Sequence, residues 1–112
     1  MNNKSTNGTE IILCAAIWYK DLFLKKELPH LPTNCDKGIV ICGHRHPHCT
    51  WVMGALTGLR SVTNASDGVG EHIQGFLTSH NRFVNRKEGA EIHVKNGGTL
   101  HYNDELYSED LY

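Results

Sequence analysis

The sequence lacks several features that would place it in common classes of protein. No apolar run approaches the ~18 residues of a membrane-spanning helix, so we expect no transmembrane segment and no membrane partner. Basic and acidic residues nearly balance, 11 against 12, which excludes a charge-driven attraction to polymeric nucleic acid. The four cysteines follow no Cys-x-x-Cys pattern, so their spacing indicates no zinc finger.

The start of the chain is polar and lacks the apolar stretch of a signal peptide, so we expect a cytoplasmic protein with reduced thiols. We predict a disordered tail at residues 1–9 and a single α+β ligand-binding domain at residues 10–112, a length that suits one modest core. Cys14 and Cys42 lie within apolar runs and are predicted to be buried.

Two strands and a helix are predicted in the first half. Residues 10–20 are almost continuously apolar, which favours a central strand, although two alanines there leave a short helix as the alternative. Residues 37–42 contain three consecutive β-branched side chains and predict a second strand. Pro47 suits the first turn of a helix that continues to residue 59. The apolar stripe of this helix is predicted to contain Trp51, Ala55 and Leu59, beside Val52 and Leu56.

The chain is organised around residues 75–98, which predict a strand, a turn and a second helix. Residues 72–79 alternate as a strand does, with Phe76 and Leu77 on opposite faces. Asn85 and Glu88 have the spacing of a capping box at a helix start, and the glycine pair at 97–98 predicts its end.

The rest of the chain completes the predicted architecture. Residues 99–102 alternate and predict a last strand, and residues 106–112 carry too many large apolar groups for a disordered acidic tail. We therefore expect residues 106–112 to dock on this domain or on a neighbouring subunit. The predicted fold class is α+β: a small, mainly antiparallel sheet with two helices packed on one face.

The turn at residues 81–86 brings together groups that suit an anionic, planar ligand such as a nucleotide. Arg82 and Arg86 supply guanidinium groups, and the helix start supplies free N–H donors. In the alternative interpretation Phe83 belongs to the core, Asn85 only caps the helix, and both arginines are solvated.

Residues 44–49, the segment HRHPHC, allow three interpretations. A metal site would use the three histidines and Cys49, although Pro47 disrupts the strand geometry that they need. A catalytic Cys49 would gain acidity from the helix start, with a histidine as base. An anion-binding turn would use Arg45 and the helix N–H groups, as in the turn at residues 81–86.

Four strings of sequence together span about half of the chain: CAAIWYKD (14–21), GIVICGHRHPHC (38–49), QGFLTSHNRFVNRKEGAEI (74–92) and LYSEDLY (106–112). In this order they resemble the first type of Thoeris anti-defence protein, a phage family. The resemblance implies a sponge without enzymatic activity, metal or cofactor. Such a protein binds cyclic ADP-ribose-type signals, and in some relatives cyclic di- or trinucleotides, and it works in the cytoplasm of an infected bacterium. The resemblance also implies a homo-oligomer, commonly a hexamer.

Local chemistry within these strings selects the candidate binding residues. Arginines are expected to bind phosphate, a phenylalanine to stack on the base, and polar side chains to form hydrogen bonds with the ligand. A small metal- or cysteine-dependent hydrolase that uses residues 44–49 is the alternative. The predicted ligand-binding residues are Arg45, Arg82 and Arg86, then Phe76 or Phe83, and then His44, Thr78 and Asn81.

Apolar surface in the sequence also predicts self-association. The apolar first strand, the aromatic residues 106–112, and Gly54 and Gly58, which would allow a close backbone approach, exceed what a monomer of 112 residues easily covers.

Overall fold

Four antiparallel strands in the order β2-β1-β3-β4 form the sheet on which the rest of the chain packs. The structure is a computed structural model that describes residues 8–22 and 31–112. Most of the predicted tail at 1–9, residues 1–7, lies outside this part. The predicted α+β class is confirmed. The strands are β1 (Ile12–Tyr19), β2 (Ile39–Gly43), β3 (His72–Thr78) and β4 (Phe83–Asn85); the helices are α1 (His46–Thr57) and α2 (Arg86–Lys95), and a 3-10 turn covers Ser108–Asp110.

The apolar strand β1 lies at the centre of the sheet, as predicted, and the helical alternative is wrong. It pairs with β2 on one side and with β3 on the other. Ala15 and Ala16 point to opposite faces, and both are 0% exposed. Burial on both faces therefore overrides the weak strand propensity of alanine.

Both helices pack on the same face of the sheet. Ile17 of β1 packs with Cys49 and Met53 of α1. Ala15, two residues away and therefore on the same face, packs with Phe76 of β3 and Ala90 of α2. The prediction of two helices on one face is thus confirmed.

The opposite face of the sheet is covered by irregular chain. Trp18 packs on Phe83 edge to face, with 5.8 Å between ring centroids. Asn34 fixes the covering segment to β4, because its Oδ1 accepts from the Phe83 N–H at 2.8 Å and its Nδ2 donates to the Phe83 carbonyl at 2.6 Å. Neither face of the sheet is therefore left open at its centre.

The predicted apolar stripe of α1 is wrong. The buried residues of this helix are His46, Cys49 and Met53, whereas Trp51 and Leu56 are 74% and 77% exposed. The side chain of His46 at the helix start points to the sheet and decides which side of α1 is buried. Trp51 lies on the other side and is therefore exposed.

The glycines of α1 mark the end of the helix. Gly58 is the left-handed cap of α1, with φ 74°, and its N–H donates to the Gly54 carbonyl. The pair therefore ends the helix within one chain.

The second helix begins and ends as predicted. The Glu88 N–H donates to Asn85 Oδ1 at 2.8 Å, the Asn85 N–H donates to Glu88 Oε1 at 3.1 Å, and Gly97 is left-handed after the helix. Residues 99–102 form no strand, because their only pairing is an isolated bridge from Tyr102 to Glu105. The fourth strand is β4, directly before α2.

Burial of the cysteines differs from the prediction. Cys42 is exposed and Cys14 is half-buried, whereas Cys35 and Cys49 are buried. Because β2 is an edge strand, an apolar sequence there does not guarantee cover on both sides. All four thiols are free.

Residues 106–112 dock on their own domain. Leu106 is 0% exposed in the cluster that contains Phe76 and Ala90, and Leu111 packs against that cluster. This contact places Tyr107, Ser108 and Glu109 over the starts of both helices. No helix in the described part of the chain is long and apolar enough to cross a membrane.

Candidate functional site

A cleft of about 530 Å³ lies between the first turns of the two helices. Its side chains come from α1, β3, α2 and the segment at residues 106–112. Helix starts carry N–H groups without intrahelical partners and favour anionic ligands. From α1 the lining residues are His46, Pro47, Thr50 and Trp51; Gln74 comes from β3, Arg86 from α2, and Tyr107, Ser108 and Glu109 from the docked segment.

Arg86 is the cation of this cleft, and its partners are all neutral. Its Nη1 donates to the Leu106 carbonyl at 2.8 Å, and its Nη2 donates to Gln74 Oε1 at 2.6 Å. The guanidinium lies 4.1 Å from the centroid of the Tyr107 ring. Within residues 8–22 and 31–112 no carboxylate forms a salt bridge with Arg86, so its orientation is fixed while its charge remains available to an anion.

His46 joins the start of α1 to the middle of β3. Its Nε2 lies 2.7 Å from the Gly75 carbonyl oxygen, so Nε2 carries the proton and Nδ1 is the acceptor. Burial lowers the pKa of His46, against the opposing effect of this hydrogen bond, and keeps the ring neutral at pH 7. Its edge packs on Phe76 with 5.1 Å between centroids. His46 is therefore a positioning residue of the cleft wall.

Gly75 allows the elements around the cleft to approach closely. A Cβ at this position would overlap the Val84 carbonyl oxygen and come within 2.7 Å of the Phe83 ring. The glycine therefore lets β4 pair tightly with β3 just before Arg86 enters α2.

Of the eight predicted binding residues, the structure brings Arg86 alone to this cleft. Arg45 and His44 stand at the start of α1 but engage Tyr112. Arg45 Nη2 donates to the Tyr112 carbonyl at 2.8 Å, and the His44 ring stacks on the Tyr112 ring at 4.2 Å. An aromatic side chain of the protein thus occupies the turn that the sequence offered to a ligand.

Three further predicted residues form a separate cluster at the β3–β4 turn. Arg82 is bound through two hydrogen bonds to the carboxylate of Glu10, and the Thr78 hydroxyl donates to the same carboxylate at 2.6 Å. Asn81 has a left-handed backbone, and its carbonyl accepts from the Thr33 N–H. This cluster joins segments of the fold and does not line the cleft.

The predicted stacking role of the phenylalanines needs correction. Phe76 is 0% exposed beneath the helices, and Phe83 is 5% exposed beneath Trp18 on the other face. Both rings are core side chains, because strand alternation turns each of them into a covered face.

Sequence reasoning missed the aromatic and polar side chains that do line the cleft. Trp51 was predicted to lie on the buried side of α1. A helix with His46 on its buried side would have placed Trp51 on the exposed side. Gln74 lay in the predicted strand at residues 72–79 without a role. Tyr107 and Glu109 belong to the segment that was expected to dock, but the sequence could not give the docking position.

Residues 44–49 were also interpreted as a metal site or as a nucleophile. Among the described residues, no group of three or more His, Cys, Asp and Glu side chains is arranged to hold a metal ion. Burial raises the pKa of Cys49 to about 11, and its Sγ lies 3.9 Å from the Ala15 carbonyl oxygen. A thiol held protonated in the core is a weak nucleophile.

Comparison with known proteins places most of the chain in one family model. The model described as Phage T4 y16D protein matches residues 11–112. No curated protein and no solved structure matches the chain.

Proposed function

The chain belongs to the phage T4 y16D protein family, and we propose that it is an anti-defence sponge. It binds a cyclic ADP-ribose-type immune signal in the cleft between the helix starts and holds it without cleaving it. Cyclic di- and trinucleotides are further ligands of the same chemical class. The observation that carries this proposal is the charge of Arg86, oriented by neutral groups and available in a cleft of about 530 Å³.

The other side chains of the cleft suit the remaining parts of such a ligand. Trp51 is 74% exposed at the cleft, so its ring is available to stack on adenine. The carboxylate of Glu109 and the hydroxyl of Ser108 can accept hydrogen bonds from ribose hydroxyls. Cation, aromatic ring and acceptors therefore meet at one place.

Sequestration is favoured over hydrolysis by the state of the nearest reactive groups. The Nε2 proton of His46 is engaged with the Gly75 carbonyl, and Nδ1 lies 3.5 Å from Arg86 Nη2. The Cys49 thiol stays protonated in the core. The alternative, a hydrolase that uses residues 44–49, lacks an activated group in this arrangement.

We also propose that the protein is a homo-oligomer, with a hexamer as the expected form. Leu106 and most of β1 are buried within one chain, so an interface would use the apolar side chains that stay exposed. Leu56 and Leu13 remain as exposed apolar side chains, 77% and 49% exposed. Light scattering at micromolar concentration should give a multiple of the 12.6 kDa chain mass, and the mass of one chain would contradict this proposal.

Recovery of the signal distinguishes a sponge from an enzyme. The protein is incubated with the cyclic ADP-ribose isomer made by a TIR-domain enzyme, separated from free ligand and heat-denatured. We expect the intact signal to return to solution. A signal that never binds refutes the proposal, and one that returns as a linear product favours the hydrolase.

The position of the site is tested with two arginine variants. Arg86→Ala should weaken signal binding by about 10- to 150-fold, since a charge-assisted hydrogen bond contributes roughly 1.5–3 kcal/mol. Arg86→Lys should restore part of the affinity, because it keeps the charge without the planar fork. Arg60→Ala is the matched control, because Arg60 pairs with Asp67 outside the cleft.

Calorimetric titration and melting curves are measured for each variant. If folded Arg86→Ala and Arg60→Ala both bind like the parent, the signal does not bind in this cleft.

A further inference from the structure

The amide of Gln74 has a defined orientation. A guanidinium carries donors and no acceptor, so the group that meets Arg86 Nη2 at 2.6 Å must be the amide oxygen, Oε1. The amide nitrogen, Nε2, then keeps both of its N–H donors. No acceptor from the described residues forms a hydrogen bond with that nitrogen, and Gln74 lines the cleft.

Rigid elements hold both members of this pair. Gln74 lies in β3 opposite Ile17 of the central strand, and its neighbour Gly75 accepts the hydrogen bond from His46. Arg86 is fixed by the Leu106 carbonyl and by the Tyr107 ring. Gln74 and Arg86, here called the donor pair, are therefore placed before a ligand arrives.

Most of the groups that the donor pair leaves free are N–H donors. Gln74 Oε1 accepts from Arg86 Nη2, the Leu106 carbonyl accepts from Nη1, and His46 Nδ1 faces Nη2 at 3.5 Å. The carboxylate that lines the cleft, Glu109, lies on the docked segment. A ligand group that meets these N–H donors must therefore supply acceptors, as phosphate oxygens do, whereas amino and hydroxyl groups fit better near Glu109.

We propose that Gln74 and Arg86 form a clamp for the pyrophosphate of the ligand, in which Gln74 contacts phosphate oxygens directly and selects for groups that only accept hydrogen bonds. The choice of a nucleotide rests on the proposed function, but the clamp chemistry applies to any pyrophosphate. Gln74 thus has a role in binding as well as in orienting Arg86.

Gln74→Glu separates these two roles. The carboxylate still accepts from Arg86, so the fold and the position of the guanidinium should be kept. The two N–H donors become an oxygen with negative charge, which repels phosphate. We expect the variant to melt no lower than the parent and to lose at least about 10-fold in affinity for inorganic pyrophosphate and for ADP-ribose, measured by calorimetry.

Gln74→Met is the matched control. It has a similar length and no charge, so it removes the donors without adding repulsion. We expect its affinity for both probes to lie between those of the parent and Gln74→Glu. If folded Gln74→Met binds both probes like the parent, Gln74 supplies no donor to phosphate.

The outcomes separate the clamp from the proposed function. The clamp is wrong if the parent binds neither probe, or if folded Gln74→Glu binds both like the parent. Binding of pyrophosphate that depends on Gln74, without binding of the TIR-made signal, supports the clamp and refutes the sponge. Signal binding that is lost in Arg86→Ala and kept in Gln74→Glu supports the sponge and refutes the clamp.

Discussion

The guanidinium of Arg82 holds the carboxylate of Glu10 with two hydrogen bonds, from Nε to Oε2 at 2.8 Å and from Nη2 to Oε1 at 3.0 Å. The two residues are 72 positions apart in the chain. Asn96 adds a third segment, because its Nδ2 donates to the Glu10 carbonyl at 2.9 Å. An arginine that the sequence offered to phosphate therefore ties the chain before β1 to the β3–β4 turn.

This ion pair predicts a stability that depends on pH. The hydrogen bond from Arg82, offset in part by desolvation, lowers the pKa of Glu10 from 4.5 to about 2. For a carboxyl with a lowered folded-state pKa, the stabilisation is complete above pH 4.5 and is lost as the pH falls towards 2. Because Arg82 is partly exposed, we expect Arg82→Met to lower the free energy of unfolding by about 1–2 kcal/mol at pH 7.

Urea denaturation at pH 7 and at pH 3 measures this difference. The gap between parent and Arg82→Met should narrow at the lower pH. Arg60→Met, which removes the exposed pair with Asp67, should cost less than about 0.5 kcal/mol. Equal midpoints for the parent and Arg82→Met at pH 7 would show that the pair contributes no stability.

Substitution of Trp51 should weaken ligand binding without lowering the stability of the fold. Trp51→Ala should weaken binding of the cyclic signal by about 5- to 150-fold, from ~1–3 kcal/mol of stacking, while the melting temperature changes little because the ring is exposed. Leu56→Ala is the matched control, since Leu56 is equally exposed on α1 and lies outside the cleft. If the two variants bind alike, Trp51 does not stack on the ligand.

The sequence predicted the fold better than it predicted the site. Strand alternation and the capping box at Asn85 are local signals, and local signals were sufficient for β1, β3 and α2. The phase of α1 failed because Trp51 dominates the apolar pattern, although the inward turn of His46 decides which side of the helix is buried. Residues 99–102 alternate without a strand partner, and pairing depends on the rest of the fold.

The residues of the candidate site were harder to predict, because tertiary contacts decide whether the charge of an arginine is free to bind an anion. Arg45, Arg82 and Arg86 look equivalent in the sequence. In the structure Arg82 meets a carboxylate, Arg45 meets Tyr112, and Arg86 meets neutral groups in the cleft. Neither spacing nor composition encodes these three outcomes, because each partner comes from a distant part of the chain.

Substitution of Asn85 should lower stability, because this residue caps the start of α2. Asn85→Ala removes the acceptor for the Glu88 N–H and should lower the free energy of unfolding by about 1 kcal/mol. Asn85→Asp keeps an acceptor at the helix start and should stay close to the parent. Chemical denaturation compares the three proteins, and an unchanged midpoint for Asn85→Ala would contradict the role of the cap.

The thiols should differ in reactivity with pH. A hydrogen bond from Cys42 lowers the pKa of Cys14 to about 7, whereas burial raises the pKa of Cys35 and of Cys49 to about 11. Iodoacetamide at pH 7.5 should therefore label Cys14 first and leave the two buried thiols unmodified in the folded protein.

Cys42→Ala removes the hydrogen-bond donor and should slow labelling of Cys14 at that pH. Mass spectrometry of digested protein identifies the labelled residue. Labelling of Cys35 or Cys49 before Cys14 would contradict the predicted order.

The walls of the cleft come from four separate parts of the chain, so no fragment that lacks one of them carries the complete site. A ligand bound in the cleft therefore stabilises the fully folded protein relative to partly open forms. A ligand at 100 times its Kd adds about 2.7 kcal/mol to the free energy of unfolding. Cellular proteases act on open forms in proportion to their population. If the protein is the proposed sponge, molecules that hold the signal would consequently outlive empty ones, and their abundance during infection would rise with the amount of signal present.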